Sequence, residues 1–279
     1  MNLAMAGALT ISVDGLDPSL VWAAALVCAL AWFTREAPRA GLDARAAYWT
    51  GVCALVGGLW GSHLLGLYVH GSTDPLAWLR IWTGGKSYYG GLIGGGLAVA
   101  ACLRRRRLPL LACGDAIVPA ISLGYAIGRV GCFLNGDDYG APTHLPWAVV
   151  YPPGTEAYAA HAARGWISPG AAWSLPIHPA QLYASLLGLA MFALLANWRS
   201  KREGDRLCLF LALYGAARFS IEWLRGDFRA VFGPLSLPQL FGVLFIVVAL
   251  CIWLLTHRPM ARRRSAPEGL AAPPGPVVA

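Results

Sequence analysis

The chain has 279 residues, of which 57% are hydrophobic and only 13% are charged. Soluble globular domains carry roughly 25% charged residues, so this composition excludes an ordinary soluble protein and predicts an all-α, polytopic membrane protein. The net charge of +8 does not indicate nucleic-acid binding, because the basic residues cluster in short connections between apolar runs.

Seven apolar segments are long enough to cross a bilayer, which takes about 20 mostly apolar residues per helix. They cover about 17–34, 46–69, 89–103, 109–128, 179–197, 206–224 and 237–256. Fifteen of the 22 Lys and Arg residues fall in the first, third and fifth connections or after the seventh segment. Because cytoplasmic loops carry an excess of Lys and Arg, we predict an outside N-terminus and a cytoplasmic C-terminus.

The segments predict one membrane-embedded domain over residues 1–264, followed by a disordered cytoplasmic tail over 265–279 that is rich in Pro and Ala. The outward connection between spans four and five, about 129–178, is the longest and is rich in Pro, Gly, Trp and Tyr. It is predicted to form a small extracytoplasmic region at the head-group layer. The seven cysteines show no metal-ligand spacing and predict no disulfide framework.

The third span opens with a glycine run that starts at Gly90 and Gly91, after a polar edge over 84–89. Small residues at this spacing let two helices pack closely, and packing alone would explain them. The polar groups at the same helix edge make a contribution to a binding site the other interpretation.

Arg129 stands at the predicted outer end of span four and is followed by glycines, an amide at Asn135 and a carboxylate at Asp137. An arginine at this depth needs an anionic partner, and the natural one is a lipid phosphate. The alternative is an arginine that only extends its side chain to the interface.

Two further groups of polar residues lie at the outward side. Tyr214, Arg218 and Glu222 are spaced by four and therefore share one face of the sixth helix, either as a packing pair or with Arg218 at the same phosphate as Arg129. His178 precedes Pro179 at the start of the fifth helix, where a capping or anchoring role is the alternative to a site contact.

These stretches occur together and in order in the bacterial prolipoprotein diacylglyceryl transferases, which the chain resembles from span one to span seven. The resemblance rests on residues 81–94, 128–140, 178–183 and 214–222. It implies an inner-membrane enzyme whose site faces outward and whose partners are phosphatidylglycerol, the bilayer and the lipobox segments of preprolipoproteins. The enzyme would move the diacylglyceryl group to the lipobox cysteine and release glycerol phosphate, with no metal or cofactor.

Carried over by position, Arg129 and Arg218 would hold the phosphate, while Asn135 and Asp137 would shape the head-group site. Tyr214 and Glu222 would support Arg218.

The chain departs from the family pattern at several positions. Tyr89 replaces the usual histidine, a proposed base, and tyrosine is a poor base at neutral pH. Cys132 replaces an asparagine, Asp137 a glutamate, and Ala184 stands where a glutamate is common. His178, a phosphate oxygen or water could accept the proton instead. A different acceptor or donor lipid, a non-catalytic lipid-binding homologue and a transporter remain alternatives.

Overall fold

The computed structural model describes residues 9–10, 17–69, 71, 74, 76–80, 87–199, 202–227 and 230–257, without the side chains of Val69, Tyr88 and Tyr89. The described chain is mostly helical. Its eight α-helices are α1 Pro18–Glu36, α2 Ala44–Val69, α3 Tyr88–Arg106, α4 Leu110–Asn135, α5 Glu156–Ala163, α6 Ala180–Asn197, α7 Asp205–Glu222 and α8 Leu237–Thr256. The described strands are β1 Leu9–Thr10, β2 Val149–Val150, β3 Ala230–Phe232 and β4 Leu235–Ser236.

Five helical segments are long and apolar enough to cross a membrane: Pro18–Ala40, Ala44–Tyr68, Leu110–Asn135, Ala180–Asn197 and Leu237–Thr256. They match predicted spans one, two, four, five and seven. Helices α3 and α7 also form where spans three and six were predicted, but they are more polar. Helix α3 contains five glycines and ends in three arginines, and α7 carries four charged residues.

Helices α2 and α3 pack through glycines on both sides. A Cβ on Gly61 would lie 2.2 Å from the Gly90 carbonyl oxygen, and one on Gly94 would lie 2.3 Å from that of Gly57. Real Cβ atoms do not come this close, so only glycine lets the two backbones approach to this distance. The contacts of Gly90 therefore agree with the interpretation that the glycine run lets two helices pack closely.

Helix α4 occupies the centre of the helical bundle. Half of its membrane-length window is buried, a larger share than in the other four candidate spans. It packs against α1 through Gly131, which leaves room for the Trp22 ring, and against α6, where Ser185 donates a hydrogen bond to the Ala126 carbonyl at 2.8 Å. Residues on α4 are therefore held on several sides.

Helix α4 continues beyond the predicted end of span four near residue 128. It ends at Asn135, and Gly136 follows with a φ of 72° in the left-handed region that glycine adopts without strain. Arg129 accordingly lies in the last two turns of a continuous helix, whereas the sequence placed it at a helix mouth. This fixes the direction of its side chain.

The connection between α4 and α6 folds into a small region built on short backbone ladders. Gly140 pairs with Arg225, Pro142 and Val149 both pair with Ile177, and β1 joins β2 in parallel. Tyr139, Val149, Tyr151, Ala157 and Ile177 form its buried core. The ladders tie the end of α4 to the start of α6 and to the segment after α7.

Candidate active site

Arg129 is largely buried, with 14% of its side chain exposed, and forms an ion pair with Asp138 at 2.5 Å. Its guanidinium also lies over the Tyr125 ring, 5.0 Å from the ring centre. A buried arginine needs such an anionic partner and gains from an aromatic face. The ion pair and the ring hold the guanidinium in one orientation at the end of α4.

Asp138 bridges two arginines. Its Oδ2 contacts Arg129, and its Oδ1 contacts Nη1 of Arg225 at 2.6 Å. Its φ of 52° is rare for a residue other than glycine, which directs the carboxylate inward at a conformational cost. Burial raises the pKa of Asp138, but the charges of Arg129 and Arg225 outweigh it and lower the pKa to about 2.

Arg225 was not predicted as a site residue, and the structure places it at the centre of the network. Only 7% of its side chain is exposed, and its Nε and Nη2 donate to both carboxylate oxygens of Asp227 at 2.7 and 2.5 Å. Burial lowers the pKa of Arg225, but the two aspartates raise it above its usual value. In the sequence, the only local indication of this role was that Arg225 stands two residues before Asp227, just after the sixth predicted span.

Asn135 and Asp137 lie together next to this network. The Asn135 amide donates to Asp137 Oδ2 at 2.9 Å, and the buried Gln181 amide donates to the Asp137 carbonyl at 2.6 Å. Burial raises the pKa of the Asp137 carboxyl, and the Asn135 hydrogen bond opposes this shift only partly. The predicted pair thus forms a polar wall beside Arg129, with Gln181 as its support.

The Cys132 sulfur and carboxylate oxygens of Asp137 and Asp138 lie within 4.8 Å of one another, a spacing compatible with a metal ion. Two guanidinium groups contact Asp138, however, and a cation placed there would be repelled by both. The donor set therefore fits an ion-pair network, and we assign no metal to it.

Arg218 and Glu222 form the ion pair that their spacing allows, at 3.1 Å. Glu222 is buried, and its other carboxylate oxygen accepts a hydrogen bond from the Ser236 hydroxyl at 2.9 Å, so it is fixed from the start of α8. Arg218 is 15% exposed in its side chain. A carboxylate held from two sides can orient the arginine toward an open face of the site.

Tyr214 links this pair to Arg129 across the helices. Its ring stacks on Phe210 and meets the Tyr125 ring edge to face at 5.5 Å. Tyr125 is also the ring beneath the Arg129 guanidinium. The aromatic contact places Tyr214 of α7 against the Tyr125 ring of α4, one helical turn before Arg129. A shared phosphate between Arg129 and Arg218 stays a prediction.

His178 lies beside the signature segment at the start of α6. A Cβ on Gly140 would lie 2.3 Å from the His178 carbonyl, so Gly140 is needed for this close approach. The His178 Nδ1 is 3.4 Å from the Tyr183 hydroxyl, which accepts a hydrogen bond from the Trp147 indole at 2.7 Å. Burial lowers the pKa of His178 and favours the neutral imidazole.

The remaining predicted residues lie on α3. The Tyr89 side chain is outside the described part of the chain, so its proposed catalytic role stays a prediction. A Cβ on Gly91 would lie 3.4 Å from the Gly58 carbonyl oxygen, and Gly90 makes the close contact with α2 described above. A substrate contact at either glycine also stays a prediction.

A second polar cluster lies at the opposite end of α4, around a cavity of about 860 Å³. Its charges are used internally: Asp115 accepts from the Gly204 and Leu207 amides at 2.7 and 2.8 Å, and Glu36 pairs with Arg39 and Arg206. Asp115 thus caps α7 from another helix, where free N–H groups need acceptors. We interpret this cluster as structural.

A family model, "Prolipoprotein diacylglyceryl transferase", matches residues 18–255 of the chain. Curated relatives named phosphatidylglycerol–prolipoprotein diacylglyceryl transferase are similar to it over most of their length. The protein of Bordetella bronchiseptica is 34% identical over 75% of each chain. The protein of Gloeobacter violaceus is 38% identical over 67% of this chain and 66% of its own length. The protein of Methylococcus capsulatus is 31% identical over 72% of this chain and 76% of its own length.

Proposed function

The chain belongs to the prolipoprotein diacylglyceryl transferase family, and on that premise we propose that it transfers the diacylglyceryl group of phosphatidylglycerol to the lipobox cysteine of preprolipoproteins. Glycerol phosphate is the leaving group, and the step is the first of lipoprotein maturation. The observation that carries the proposal is the buried, oriented Arg129 at the end of α4, beside the polar wall of Asn135 and Asp137.

The chemistry explains why arginines are needed here. The thiol sulfur bonds to the glyceryl carbon while the bond from that carbon to the phosphate oxygen breaks. Negative charge then accumulates on the departing phosphate, and guanidinium groups stabilise this charge more in the transition state than in the ground state. Arg129 is held by Asp138 and Arg218 by Glu222, so neither must reorganise during the reaction.

We assign the remaining roles by the same premise. Asn135 and Asp137 bound the head group, and His178 contributes to the adjacent wall at the start of α6. Tyr214 and Glu222 position Arg218. Tyr89, Gly90 and Gly91 belong to the α3 edge of the same site, with Tyr89 as a catalytic candidate.

We further propose seven spans, with α3 and α7 crossing the bilayer beside α2 and α8. Support comes from the close glycine contacts of α3 with α2, and of Gly215 in α7 with Gly242 in α8. Arg39 and Arg206 lie at the opposite end of α4 from Arg129, and arginine-rich connections are typical of the cytoplasmic side. The site then faces the outer side of the bacterial inner membrane, within one domain over 1–264 that is followed by a cytoplasmic tail.

The proposal is tested with purified protein, phosphatidylglycerol and a lipobox peptide, read by mass spectrometry. Wild type should add a diacylglyceryl mass to the peptide cysteine. Arg129→Ala should lower the rate about 10²–10³-fold, the typical loss for one transition-state charge donor. Arg39→Ala, an arginine at the other end of α4 whose side chain is 62% exposed, is the matched control and should keep its activity.

The two alternatives give different results in the same assay. A non-catalytic homologue would bind phosphatidylglycerol but leave the peptide unmodified. A transferase with another acceptor would leave the lipobox peptide unmodified and still release glycerol phosphate when offered a different thiol. Near-normal transfer by Arg129→Ala would remove Arg129 from the mechanism.

A further inference from the structure

The proposed transfer needs a group that accepts the thiol proton. A cysteine thiol has a pKa near 8.5, so most of it is protonated at neutral pH and is a poor nucleophile. Four carboxylates lie around the arginines: Asp137, Asp138, Glu222 and Asp227. In the described part of the chain, three of them form an ion pair with an arginine, whereas Asp137 forms none and accepts a hydrogen bond from the Asn135 amide.

The charges of the site point to the same carboxylate. Asp137 lies close to two further carboxylates, Asp138 and Glu156, whose negative charges oppose its ionisation. The lipid phosphate adds a charge, and its departure as a phosphate monoester adds another. A proton taken up inside the site offsets part of this accumulation, and it goes to the carboxylate that forms no ion pair with a described arginine.

We propose that Asp137 is the general base that removes the proton of the incoming lipobox thiol. The inference rests on the proposed function and adds a catalytic residue to it. As the sulfur–carbon bond forms, the carbon–oxygen bond breaks and its electron pair leaves with the phosphate oxygen. The thiol proton moves to the Asp137 carboxylate and is passed to solvent or to the released phosphate.

The geometry suits this role. Asn135 fixes Oδ2 and Gln181 fixes the main chain, while Oδ1 is buried and accepts no hydrogen bond from the described residues. A buried oxygen without a donor favours the protonated carboxyl. The Cys132 sulfur lies within 4.8 Å of carboxylate oxygens of Asp137 and Asp138, so a sulfur atom is accommodated at this distance from the carboxyl beside the Arg129 ion pair.

The two adjacent carboxyls, Asp137 and Asp138, differ in how readily they take up a proton. Asp138 stays ionised between its arginines, while burial, and to a smaller extent the charge of Asp138, raise the pKa of Asp137. When the pKa values of two adjacent carboxyls are shifted in opposite directions, the one with the raised pKa is the candidate base, since a base works best when its pKa approaches the operating pH. Besides the residues of its own segment, the charged or titratable groups that face Asp137 are Glu156 of α5 and Tyr151.

The test compares Asp137→Asn and Asp137→Glu with two acceptor peptides, one with the lipobox cysteine and one with selenocysteine. A selenol is more acidic than a thiol and is ionised at neutral pH, so it needs no base. With the cysteine peptide, Asp137→Asn should lose at least about 10²-fold in kcat with little change in the lipid KM, and Asp137→Glu should retain most activity. With the selenocysteine peptide, Asp137→Asn should recover to near the wild-type rate.

Several outcomes would overturn the inference. Asp137→Asn could keep the wild-type rate with the cysteine peptide, or lose rate equally with both nucleophiles. If wild type modifies neither peptide, the proposed function fails instead, which separates the two failures. If Asp137→Asn does not fold, the wild-type pH profile decides. The acidic fall in kcat/KM seen with cysteine should move with selenocysteine to the lower pH at which the selenol itself is protonated. An acidic fall at the same pH with both peptides would show that Asp137 is not the base.

Discussion

Arg225 contacts Asp138 at 2.6 Å on the carboxylate oxygen opposite to the one that pairs with Arg129. The carboxylate therefore connects the end of α4 to the segment after α7. Because Arg225 is itself fixed by two hydrogen bonds to Asp227, the orientation of Arg129 depends on a residue 96 positions later. We therefore expect Arg225 to be a positioning residue for the proposed phosphate site.

Replacing Arg225 should affect both folding and catalysis. Arg225→Ala leaves Asp138 and Asp227 without their shared partner, and we expect a loss of about 1–3 kcal/mol, below the 3–5 typical of a fully buried pair because both aspartates are partly exposed. Thermal unfolding in detergent measures this loss. Arg164→Ala, an exposed arginine that contacts the Gly226 carbonyl, is the matched control and should change stability by less than about 1 kcal/mol.

Catalysis separates positioning from simple stability. Arg225→Lys retains the charge but cannot bind Asp227 through two nitrogens and Asp138 through a third. We expect kcat to fall at a temperature where the variant is fully folded. A wild-type kcat in folded Arg225→Lys would show that the Arg129 orientation does not depend on this clamp.

The glycine packing between α2 and α3 predicts a contrast between two alanine variants of one helix. In Gly94→Ala the new Cβ would lie 2.3 Å from the Gly57 carbonyl, whereas Gly96 has open space. We expect Gly94→Ala to lose about 1–3 kcal/mol from overpacking and Gly96→Ala to be neutral or slightly stabilising. Thermal unfolding of both proteins checks this, and equal stabilities would contradict the close approach.

The stability contributed by Asp138 should disappear in acid. Its folded-state pKa of about 2 lies below the ordinary value near 3.9, so its ion pairs stabilise the fold above pH 4 and are lost as the pH falls toward 2. Wild type should therefore exceed Asp138→Asn in melting temperature at pH 7. The difference should shrink between pH 4 and pH 2, and a constant gap would indicate that packing, not charge, is responsible.

The local features of the site could be predicted from the sequence because they depend on helix geometry alone. Arg218 and Glu222 are four residues apart, so any helix through them permits their ion pair. The order of the motifs also sufficed to identify the family. The end of α4 could not be predicted in this way, because the apolar run ends near residue 128. The helix nevertheless continues, and Gly131 is the place where the Trp22 ring packs on it.

By itself, the sequence determined that this is a membrane-type helical chain that carries the motifs of its family, since apolar length, charge and motif spacing are properties of neighbouring residues. Only the tertiary structure decided that Arg129 shares Asp138 with Arg225 and that Asp137 forms no ion pair with a described arginine. These relationships join residues distant in the chain, and burial at their meeting point sets the pKa values. Neither the partner of a charged side chain nor its exposure is encoded in local periodicity; both follow from how the helices pack.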